Sequence, residues 1–213
     1  FIALSANSPY FESENTGLAS TRTKIFEGLP NTGIPERLRN YSEFQKFMRT
    51  LIRANSIESI REIWWDIRPH PGYGTVEIRI CDSIPNLRDI KDLTAFCQAL
   101  VVGMSNHYDS GTQLPYLDNW ILYENKWRAT RYGIDADLIM DEDGTQIPIK
   151  DEIINTITNL SPEINELNLG GSMDRIIQRV KTGHAYYKDQ INLFNKNNDL
   201  KDIIRNDLEI LKN

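Results

Sequence analysis

Hydrophobic and polar positions alternate along two neighbouring segments of the chain, residues 63–68 and 75–80. Successive side chains of a β-strand point to opposite faces, so each segment has one apolar and one polar face. Residues 69–74 between them include two prolines and two glycines, which is typical of a turn. The pattern predicts a hairpin with Ile63, Trp65, Ile67, Val76, Ile78 and Ile80 toward the core, and Trp64, Asp66, Arg68, Thr75, Glu77 and Arg79 on the polar face.

The register of this hairpin decides which charges meet. If the loop closes symmetrically, Arg68 pairs with Thr75 and Asp66 faces Glu77. Like charges directly opposite one another destabilise a sheet, so Arg68, Arg79 or a divalent metal would supply the counter-charge. The alternative is a solvated face with ordinary cross-strand ion pairs, and a bulge in the loop would shift the register.

Helical periodicity predicts most of the remaining elements. A helix from Asn15 or Thr16 to about Leu29 would carry Arg22 within its apolar stripe, where a cation needs a partner. That partner is either a structural carboxylate or a bound anion. Further segments are predicted to be helices that begin near Ser42, run from about Leu87 to Tyr108 with Leu93, Phe96, Leu100, Val101 and Met104 as packing residues, and run from about Tyr116 to Tyr132.

The helix over residues 116–132 places Glu124, Arg128 and Arg131 on one face, at positions i, i+4 and i+7. A helical ion pair between Glu124 and Arg128 explains part of this pattern. Two arginines flanked by aromatic side chains can also bind phosphate or carboxylate. A second hairpin is predicted over residues 137–149, and amphipathic helices from Lys150 onwards form an outer helical layer.

Composition limits the kinds of partner. The 213 residues carry a formal net charge of -6 with a pI near 5.2, which argues against a nucleic-acid binder that depends on bulk positive charge. No apolar run approaches the length of a membrane helix, so we expect a soluble, cytoplasmic protein. Two cysteines and three histidines are too scattered for a zinc site. One domain over 1–213 is expected, with the sheet and site helices in 1–149 and the helical layer in 150–213.

Four segments, in order, resemble the carboxylate-amine ligases of the type 2 glutamate-cysteine ligase group. They are residues 3–9 (ALSANSP), 16–22 (TGLASTR), 64–82 around the Thr-Val-Glu-Ile-Arg core, and 124–133 (ENKWRATRYG). The resemblance covers about residues 1–140. The chain also opens directly on the apolar, strand-like run 1–4, which looks like a cut piece of a longer protein.

The resemblance implies an α+β, glutamine-synthetase-like antiparallel sheet with helices packed on one face, truncated at its N-terminus. The Gly-x-Glu-x-Glu strand and the His-x-His segment of the family are absent, so the piece alone is expected to be inactive. An exposed sheet edge would favour homo-oligomers or other association. By similarity Glu77 is the metal ligand, Arg79 and Arg22 are catalytic, and Asn7, Ser8, Arg68, Arg128 and Arg131 bind substrate or ATP.

The implied reaction joins a carboxylate, typically the γ-carboxyl of glutamate, to an amine through an acyl phosphate, with ATP and Mg²⁺. Small-molecule substrates, an amino acid and an amine, are the expected partners. Two other interpretations stay open at this point. One is a phosphagen-type kinase that phosphorylates a guanidino group, and the other is a non-catalytic nucleotide-binding or assembly module.

Overall fold

A computed structural model describes residues 1–112 and 116–212 of the chain. Contacts between Cα atoms divide it into two compact units. The smaller unit is Arg22–Cys81, called here the hairpin unit. The larger unit combines Phe1–Thr21 with the described residues from Asp82 onwards, and it is called here the helical unit. The prediction of one domain over 1–213 stays a prediction.

Ten helices and eight short strands make up the described part of the chain, a mixture of helix and sheet that fits the α+β class. The helices are α1 (Ile2–Ser5), α2 (Thr21–Glu27), α3 (Tyr41–Arg53), α4 (Leu87–Asp109), α5 (Asn119–Tyr132), α6 (Ile149–Asn159), α7 (Ser161–Glu166), α8 (Gly170–Thr182), α9 (Tyr186–Asn197) and α10 (Leu200–Lys212). The strands are β1 (Tyr10–Phe11), β2 (Glu14–Asn15), β3 (Thr32–Gly33), β4 (Trp64–Trp65), β5 (Ile67–His70), β6 (Thr75–Ile78), β7 (Asp137–Ile139) and β8 (Gln146–Pro148).

The strands of the described residues pair two by two. β1 with β2, β5 with β6 and β7 with β8 form antiparallel pairs, whereas β3 and β4 run parallel. The second hairpin predicted over residues 137–149 is therefore confirmed as β7 and β8. A larger, glutamine-synthetase-like antiparallel sheet stays a prediction.

The hairpin unit has its own small core. Phe44 of α3, Ile57, Ile63 and Trp65 are buried together, with Phe47 and Met48 packed against them. The Asn40 side chain accepts a hydrogen bond from the Glu43 amide and caps α3, which fixes where that helix begins. Leu51 of α3 also packs against this core, whereas Ile52 is exposed.

Helix α4 is the longest element of the helical unit and packs mainly on α8. The Asn86 side chain caps it by accepting hydrogen bonds from the amides of Arg88 and Asp89. Its inner face contains Phe96, Ala99 and Gly103, all buried. Gly103 allows close helix contact, because a Cβ there would lie 2.5 Å from Leu160 Cδ2.

Two ion pairs reinforce the packing of α4 on α8. Arg175 donates through Nε and Nη2 to the two carboxylate oxygens of Asp92, at 2.7 and 2.5 Å. Arg179 pairs with Asp89, which also accepts a hydrogen bond from the Tyr186 hydroxyl at 2.7 Å. Burial and the hydrogen bond to Asp89 raise the pKa of the Tyr186 hydroxyl, so Tyr186 is a neutral donor at physiological pH.

Several sequence-based expectations about the elements are wrong. The run at residues 1–4, expected to be strand-like, is helical from Ile2 onwards and belongs to α1. The helix expected from residue 15 or 16 to 29 is shorter, because β1 and β2 occupy residues 10–15 and only Thr21–Glu27 are helical. Within it, Ile25 is exposed. On α4, Val101 and Met104, expected to be packing residues, are exposed.

The predicted hairpin forms, but its register differs by two residues from the symmetric one. Arg68 lies opposite Glu77, and His70 lies opposite Thr75. Asp66 therefore does not face Glu77, and its carbonyl instead accepts a hydrogen bond from the Arg79 amide at 2.7 Å. Ile67 and Val76, expected in the core, are exposed. The polar side chains stay on one face, because a shift of two residues preserves the strand period.

None of the helices in the described ranges combines the length and apolarity that crossing a membrane requires.

Candidate functional site

The carboxylate of Glu77 lies between two arginines of the hairpin unit. Arg68 donates to Glu77 Oε2 from Nε at 2.9 Å and from Nη2 at 2.5 Å. Arg79 donates from Nη1 to Oε1 at 2.7 Å. Each guanidinium group therefore bonds a different oxygen of the Glu77 carboxylate. The three side chains cluster because Arg68 lies opposite Glu77 in the hairpin. We call Arg68, Glu77 and Arg79 the arginine clamp.

Burial of the Glu77 carboxyl raises its pKa, but the hydrogen bonds and charges of Arg68 and Arg79 outweigh this and leave the pKa below its usual range. Glu77 is therefore ionised at neutral pH. An ionised Glu77 holds both guanidinium groups through charge-assisted hydrogen bonds, which are shorter and stronger than neutral ones.

The buried arginine of the clamp is Arg68, only 6% exposed. Its Nη1 donates to the carbonyl oxygens of Ile63 at 2.7 Å and Ile60 at 3.1 Å. These contacts, together with those to Glu77, use all three guanidinium nitrogens within the chain. Arg68 thus joins the 60–63 turn to the hairpin, and its predicted contact with substrate or ATP stays a prediction.

Arg79 and Arg22 lie together beside two aromatic rings. The Arg79 guanidinium stacks on Trp64 at 4.7 Å from the ring centroid, and that of Arg22 stacks on Phe26 at 4.8 Å. Arg22 also donates from Nη2 to the Arg79 carbonyl at 2.9 Å. Because planar guanidinium groups on aromatic faces lose little further entropy on binding, this is a pre-organised pair of cations.

The side chains of these four residues line a narrow pocket together with Asp66. Its free volume is about 10 Å³, which is room for about one water molecule. Nε and Nη2 of Arg79 have no hydrogen-bond partner among the residues that the structure describes. The pocket wall can therefore offer donors to an anionic oxygen.

A metal site is not complete within the described ranges. No group of three or more His, Cys, Asp or Glu side chains there is arranged to hold a metal ion. Glu77 offers one carboxylate, and both of its oxygens already accept from arginine. Mg²⁺ usually takes one or two carboxylates together with substrate phosphates. The described residues alone do not fit the ion, and Glu77 as a metal ligand stays a prediction.

Asn7 and Ser8 of the helical unit are held by a buried carboxylate. Asp82 Oδ2 accepts hydrogen bonds from the Asn7 amide at 2.9 Å and from the Ser8 hydroxyl at 2.7 Å, while Oδ1 accepts from the Ser20 hydroxyl at 2.8 Å. The Asp82 amide in turn donates to Ser5 Oγ at 3.2 Å. One aspartate thus fixes the chain around residues 5–8.

The side chain of Asn7 is also committed within the chain. Its Nδ2 donates to the Ser83 carbonyl at 3.0 Å, and its Oδ1 accepts from Gln190 Nε2 at 2.7 Å. These contacts rigidify the segment that the resemblance assigned to ligand binding. Contact of Asn7 and Ser8 with a ligand stays a prediction.

Arg128 makes the helical ion pair that the sequence pattern indicated. Its Nε donates to Glu124 Oε1 at 3.0 Å, and its Nη1 donates to Gln146 Oε1 at 2.8 Å and to the Asp137 carbonyl at 3.2 Å. Arg128 therefore ties α5 to the β7–β8 hairpin. An open hollow of about 360 Å³ lies here, lined also by Trp127 and Tyr132.

Arg131 differs from Arg128, three residues earlier on the same helix. Its half-buried guanidinium has no hydrogen bond or ion pair to a residue in the described ranges. It lies against the backbone of Gly17, where an added Cβ would be 2.5 Å from Nη1. A half-buried guanidinium without a counter-ion favours an anion, so Arg131 is the arginine of the helical unit best suited to bind one.

The predicted site residues fall in both units. Arg22, Arg68, Glu77 and Arg79 belong to the hairpin unit, and Asn7, Ser8, Arg128 and Arg131 belong to the helical unit. Within the hairpin unit the four lie together, whereas in the helical unit Arg128 bonds Glu124 and Gln146 and Arg131 lies apart from them, against Gly17. Sequence reasoning missed Asp82, Gly17 and the two stacking aromatics. Asp82 is the last residue of the 64–82 segment that resembles the family. Its place in that segment is the sequence feature that could have identified it as a site residue.

Comparison with known proteins places these features in a family. The glutamate-cysteine ligase family 2 matches residues 1–205. A protein of Frankia casuarinae named "Putative glutamate--cysteine ligase 2-1" is 43% identical over 190 residues, 89% of this chain and 50% of that protein. One of the same name from Frankia alni is 40% identical, over 98% of this chain and 55% of the relative.

A third relative, "Putative glutamate--cysteine ligase 2" of Thermobifida fusca, is 41% identical over 96% of this chain and 51% of its own length. The chain therefore spans about half the length of the relatives it matches. The match covers the segments that carry the arginine clamp, Asp82 and Arg131. The chain belongs to glutamate-cysteine ligase family 2.

Proposed function

We propose that the full-length protein containing this chain is an ATP-dependent carboxylate-amine ligase. It joins the γ-carboxyl of glutamate, or a similar acid, to an amine. Family membership supports this assignment, as do the names of the relatives. The structural observation that carries it is the pairing of Arg79 and Arg22 beside the pocket, with Arg79 oriented by an ionised Glu77.

The chemistry explains why this arrangement is useful. A carboxylate oxygen of the acid attacks the γ-phosphorus of ATP, ADP leaves, and an acyl phosphate forms. The amine then attacks the acyl carbon, inorganic phosphate leaves, and the amine nitrogen loses a proton. Negative charge on the phosphoryl oxygens must be stabilised in the first step, and pre-oriented guanidinium groups do this without reorganising.

Individual residues take distinct parts in this proposal. Arg79 donates to a phosphoryl oxygen through Nε or Nη2, the nitrogens that Glu77 leaves available. Arg22 supplies a second positive charge on the same side of the pocket. Glu77 and Arg68 orient Arg79. In the helical unit, Arg131 binds a phosphate or the substrate carboxylate, and Asp82 holds Asn7 and Ser8 in place.

Magnesium belongs to the proposed reaction as the usual companion of ATP. When bound, it would supply positive charge that partly neutralises the nucleotide phosphates. The described residues offer it at most the Glu77 carboxylate, so we assign the rest of its ligands to substrate phosphates and to other parts of the full-length protein.

The test measures phosphate release by the full-length protein with ATP and Mg²⁺, with and without glutamate and an amine. We expect turnover to require the acid. With hydroxylamine as the amine, an acyl phosphate is trapped as a hydroxamate. Arg79→Lys keeps the charge but loses the stack on Trp64, and we expect about a 100-fold loss of kcat, the usual cost of one transition-state donor.

Matched variants separate this role from general damage. Glu77→Gln should also abolish turnover, whereas Arg39→Gln should not, because Arg39 pairs with Glu43 on the solvent-exposed surface of α3. A stable phosphorylated guanidino product would show a kinase instead. Nucleotide binding without phosphate release would show a non-catalytic module, and either result would reject the ligase proposal.

A further inference from the structure

The side chain of Asn7 can offer a ligand only a hydrogen-bond acceptor. Its Nδ2 donates to the Ser83 carbonyl at 3.0 Å. The hydrogen bond between Asn7 and the Asp207 carboxylate uses the same nitrogen, which is the only donor of this side chain. Oδ1 accepts from Gln190 Nε2 at 2.7 Å and keeps a second lone pair. A ligand group that bonds the Asn7 side chain must therefore be a donor, which excludes a phosphate or carboxylate oxygen.

Gln190 of α9 fixes this orientation of Asn7. Its Nε2 contacts the Asn7 carbonyl oxygen at 3.1 Å, Asn7 Oδ1 at 2.7 Å and Asp207 Oδ2 at 3.5 Å. All three neighbours are acceptors, so the NH₂ end of the Gln190 side chain must face them. Helices α9 and α10 thus hold two oxygen acceptors, Asn7 Oδ1 and the Asp207 carboxylate, around one nitrogen.

Asp207 is a half-buried carboxyl group without a cationic partner. Its hydrogen bonds come from the side chains of Asn206, Asn7 and Gln190, and no Lys, Arg or His of the described ranges forms an ion pair with it. Burial, reinforced by the charge of Asp189, raises the pKa of the Asp207 carboxyl above its usual value despite these hydrogen bonds. A half-buried carboxylate without a counter-ion favours a cation.

We propose that Asn7 Oδ1 and the Asp207 carboxylate bind the primary ammonium group of a substrate. An ammonium group carries three donors and one positive charge, and it meets here one neutral and one charged acceptor. Asn7 and Asp207 are both half-buried, so part of each remains accessible to a ligand. Gln190 acts through Asn7 and is a positioning residue.

The inference rests on the proposed ligase function for the identity of the substrates. A carboxylate-amine ligase has two substrates that carry an ammonium group at neutral pH. One is the amino acid, through the group on its α-carbon, and the other is the amine. Both sources share the same chemistry, and binding measurements distinguish them.

The first test is calorimetric binding of glutamate and of glutarate to the full-length protein without ATP. Glutarate is glutamate without its ammonium group. If the site binds the amino acid, Asp207→Asn should weaken glutamate binding at least about tenfold, the cost of losing one charged hydrogen-bond partner, and leave glutarate binding unchanged. Glu209→Gln is the matched control, because it removes an exposed carboxylate two residues further along α10.

The second test repeats the titration with ethylammonium in the presence of saturating glutamate. If the site binds the amine, Asp207→Asn should weaken ethylammonium binding at least about tenfold and leave glutamate binding unchanged. The inference is overturned if Asp207→Asn weakens neither ligand, or if the wild type binds neither. Neither titration requires turnover, so the ligase proposal can fail on its own, through the absence of an amide product.

Gln190→Met tests the same site with the Asp207 carboxylate in place. Loss of the Nε2 donor frees the Asn7 side chain to rotate, so we expect selective weakening of the ammonium ligand by at least about threefold, the lower end of the value of a hydrogen bond. Asn192→Met, at an exposed amide of the same helix, should have no effect. Equal weakening of glutamate, glutarate and ethylammonium by Gln190→Met would indicate general damage and overturn the positioning role.

Discussion

Gly17 lies directly against the guanidinium of Arg131. A Cβ built on Gly17 would be 2.5 Å from Arg131 Nη1, a separation that real Cβ atoms do not show. Gly17 also has a φ of +73°, in the left-handed region that favours glycine. The φ angle favours glycine at this position, and any added side chain would also have to displace the end of the Arg131 side chain, an arginine without a counter-ion in the described residues.

We therefore predict that Gly17→Ala displaces Arg131 and weakens binding of the anionic ligand of the full-length protein, measured as a rise of about tenfold in Kd or KM. The control is Gly144→Ala in the β7–β8 turn. Gly144 has a φ of +81°, but its Cβ would meet nothing within 4 Å. Both changes should cost about 1 kcal/mol of folding stability through backbone strain. Equal ligand affinity in the two variants would show that Arg131 does not bind the anion.

The Asp92–Arg175 pair predicts an asymmetric response to mutation. The Asp92 side chain is 3% exposed, whereas that of Arg175 is 43% exposed. Arg175→Met leaves a carboxylate buried without its main partner and should cost about 3 kcal/mol. Asp92→Asn leaves only a half-exposed arginine and should cost about 1 kcal/mol. Urea unfolding measures both values.

An exposed pair serves as the reference for this comparison. Arg39→Met removes an ion pair with Glu43 in which the arginine is 83% exposed, so its effect should be within about 0.5 kcal/mol. If Asp92→Asn were more destabilising than Arg175→Met, burial of the carboxylate would not be the dominant effect.

The β5–β6 hairpin shows which features of the site can be predicted from the sequence pattern and which cannot. Strand periodicity correctly placed Arg68, Glu77 and Arg79 on one face, because a face depends only on odd or even position. It could not place them opposite one another, since the register depends on the loop, and Pro69 and His70 lie in β5 and not in the turn. The partners of Arg68 among the carbonyls of residues 60–63 are backbone groups, which no side-chain pattern reveals.

Sequence patterns are less informative for very short segments and for helices with two apolar faces. The apolar run 1–4 is too short for its pattern to distinguish a strand from the helical turn Ile2–Ser5 that the structure shows. On α4 two apolar stripes lie side by side, one buried around Phe96 and one exposed around Val101. Hydrophobicity alone predicts that both stripes pack inside the protein. The structure distinguishes the two stripes by the exposure of their side chains.

The hydrogen bonds of the Asp82 carboxylate hold residues 5–8 in place. We predict that this segment becomes less ordered in proportion to the number of these bonds that a mutation removes. Asp82→Asn keeps the shape of the side chain but replaces one of its two acceptor oxygens by an NH₂ donor. Where that NH₂ group takes the place of Oδ2, the Asn7 amide and the Ser8 hydroxyl lose their shared acceptor. We expect a cost of about 1–3 kcal/mol. Hydrogen exchange at the Asn7 amide should accelerate. Ser20→Ala removes only the bond to Oδ1 and should have a smaller effect, so equal effects would contradict this account.

The lowered pKa of Glu77 predicts how the arginine clamp responds to acid. A carboxyl whose pKa is lower in the folded state than in the unfolded state stabilises the fold above its unfolded pKa, near 4.3. That stabilisation is lost as the pH falls through the lower, folded pKa. Unfolding free energies measured from about pH 5 down to pH 3 should therefore decrease more steeply for the wild type than for Glu77→Gln, which cannot titrate.

Comparison with a second variant isolates Glu77 from the other carboxyls. Asp135 also has a lowered pKa, because its hydrogen bonds and charge interactions with Lys150 and Lys188 outweigh the effect of its burial. Asp135→Asn should remove a separate part of the acid dependence, so the two effects should add in the double variant, since the residues share no partner. An unchanged pH slope in Glu77→Gln would mean that Arg68 and Arg79 do not stabilise the ionised carboxylate in solution, and the arginine clamp would then have no electrostatic role.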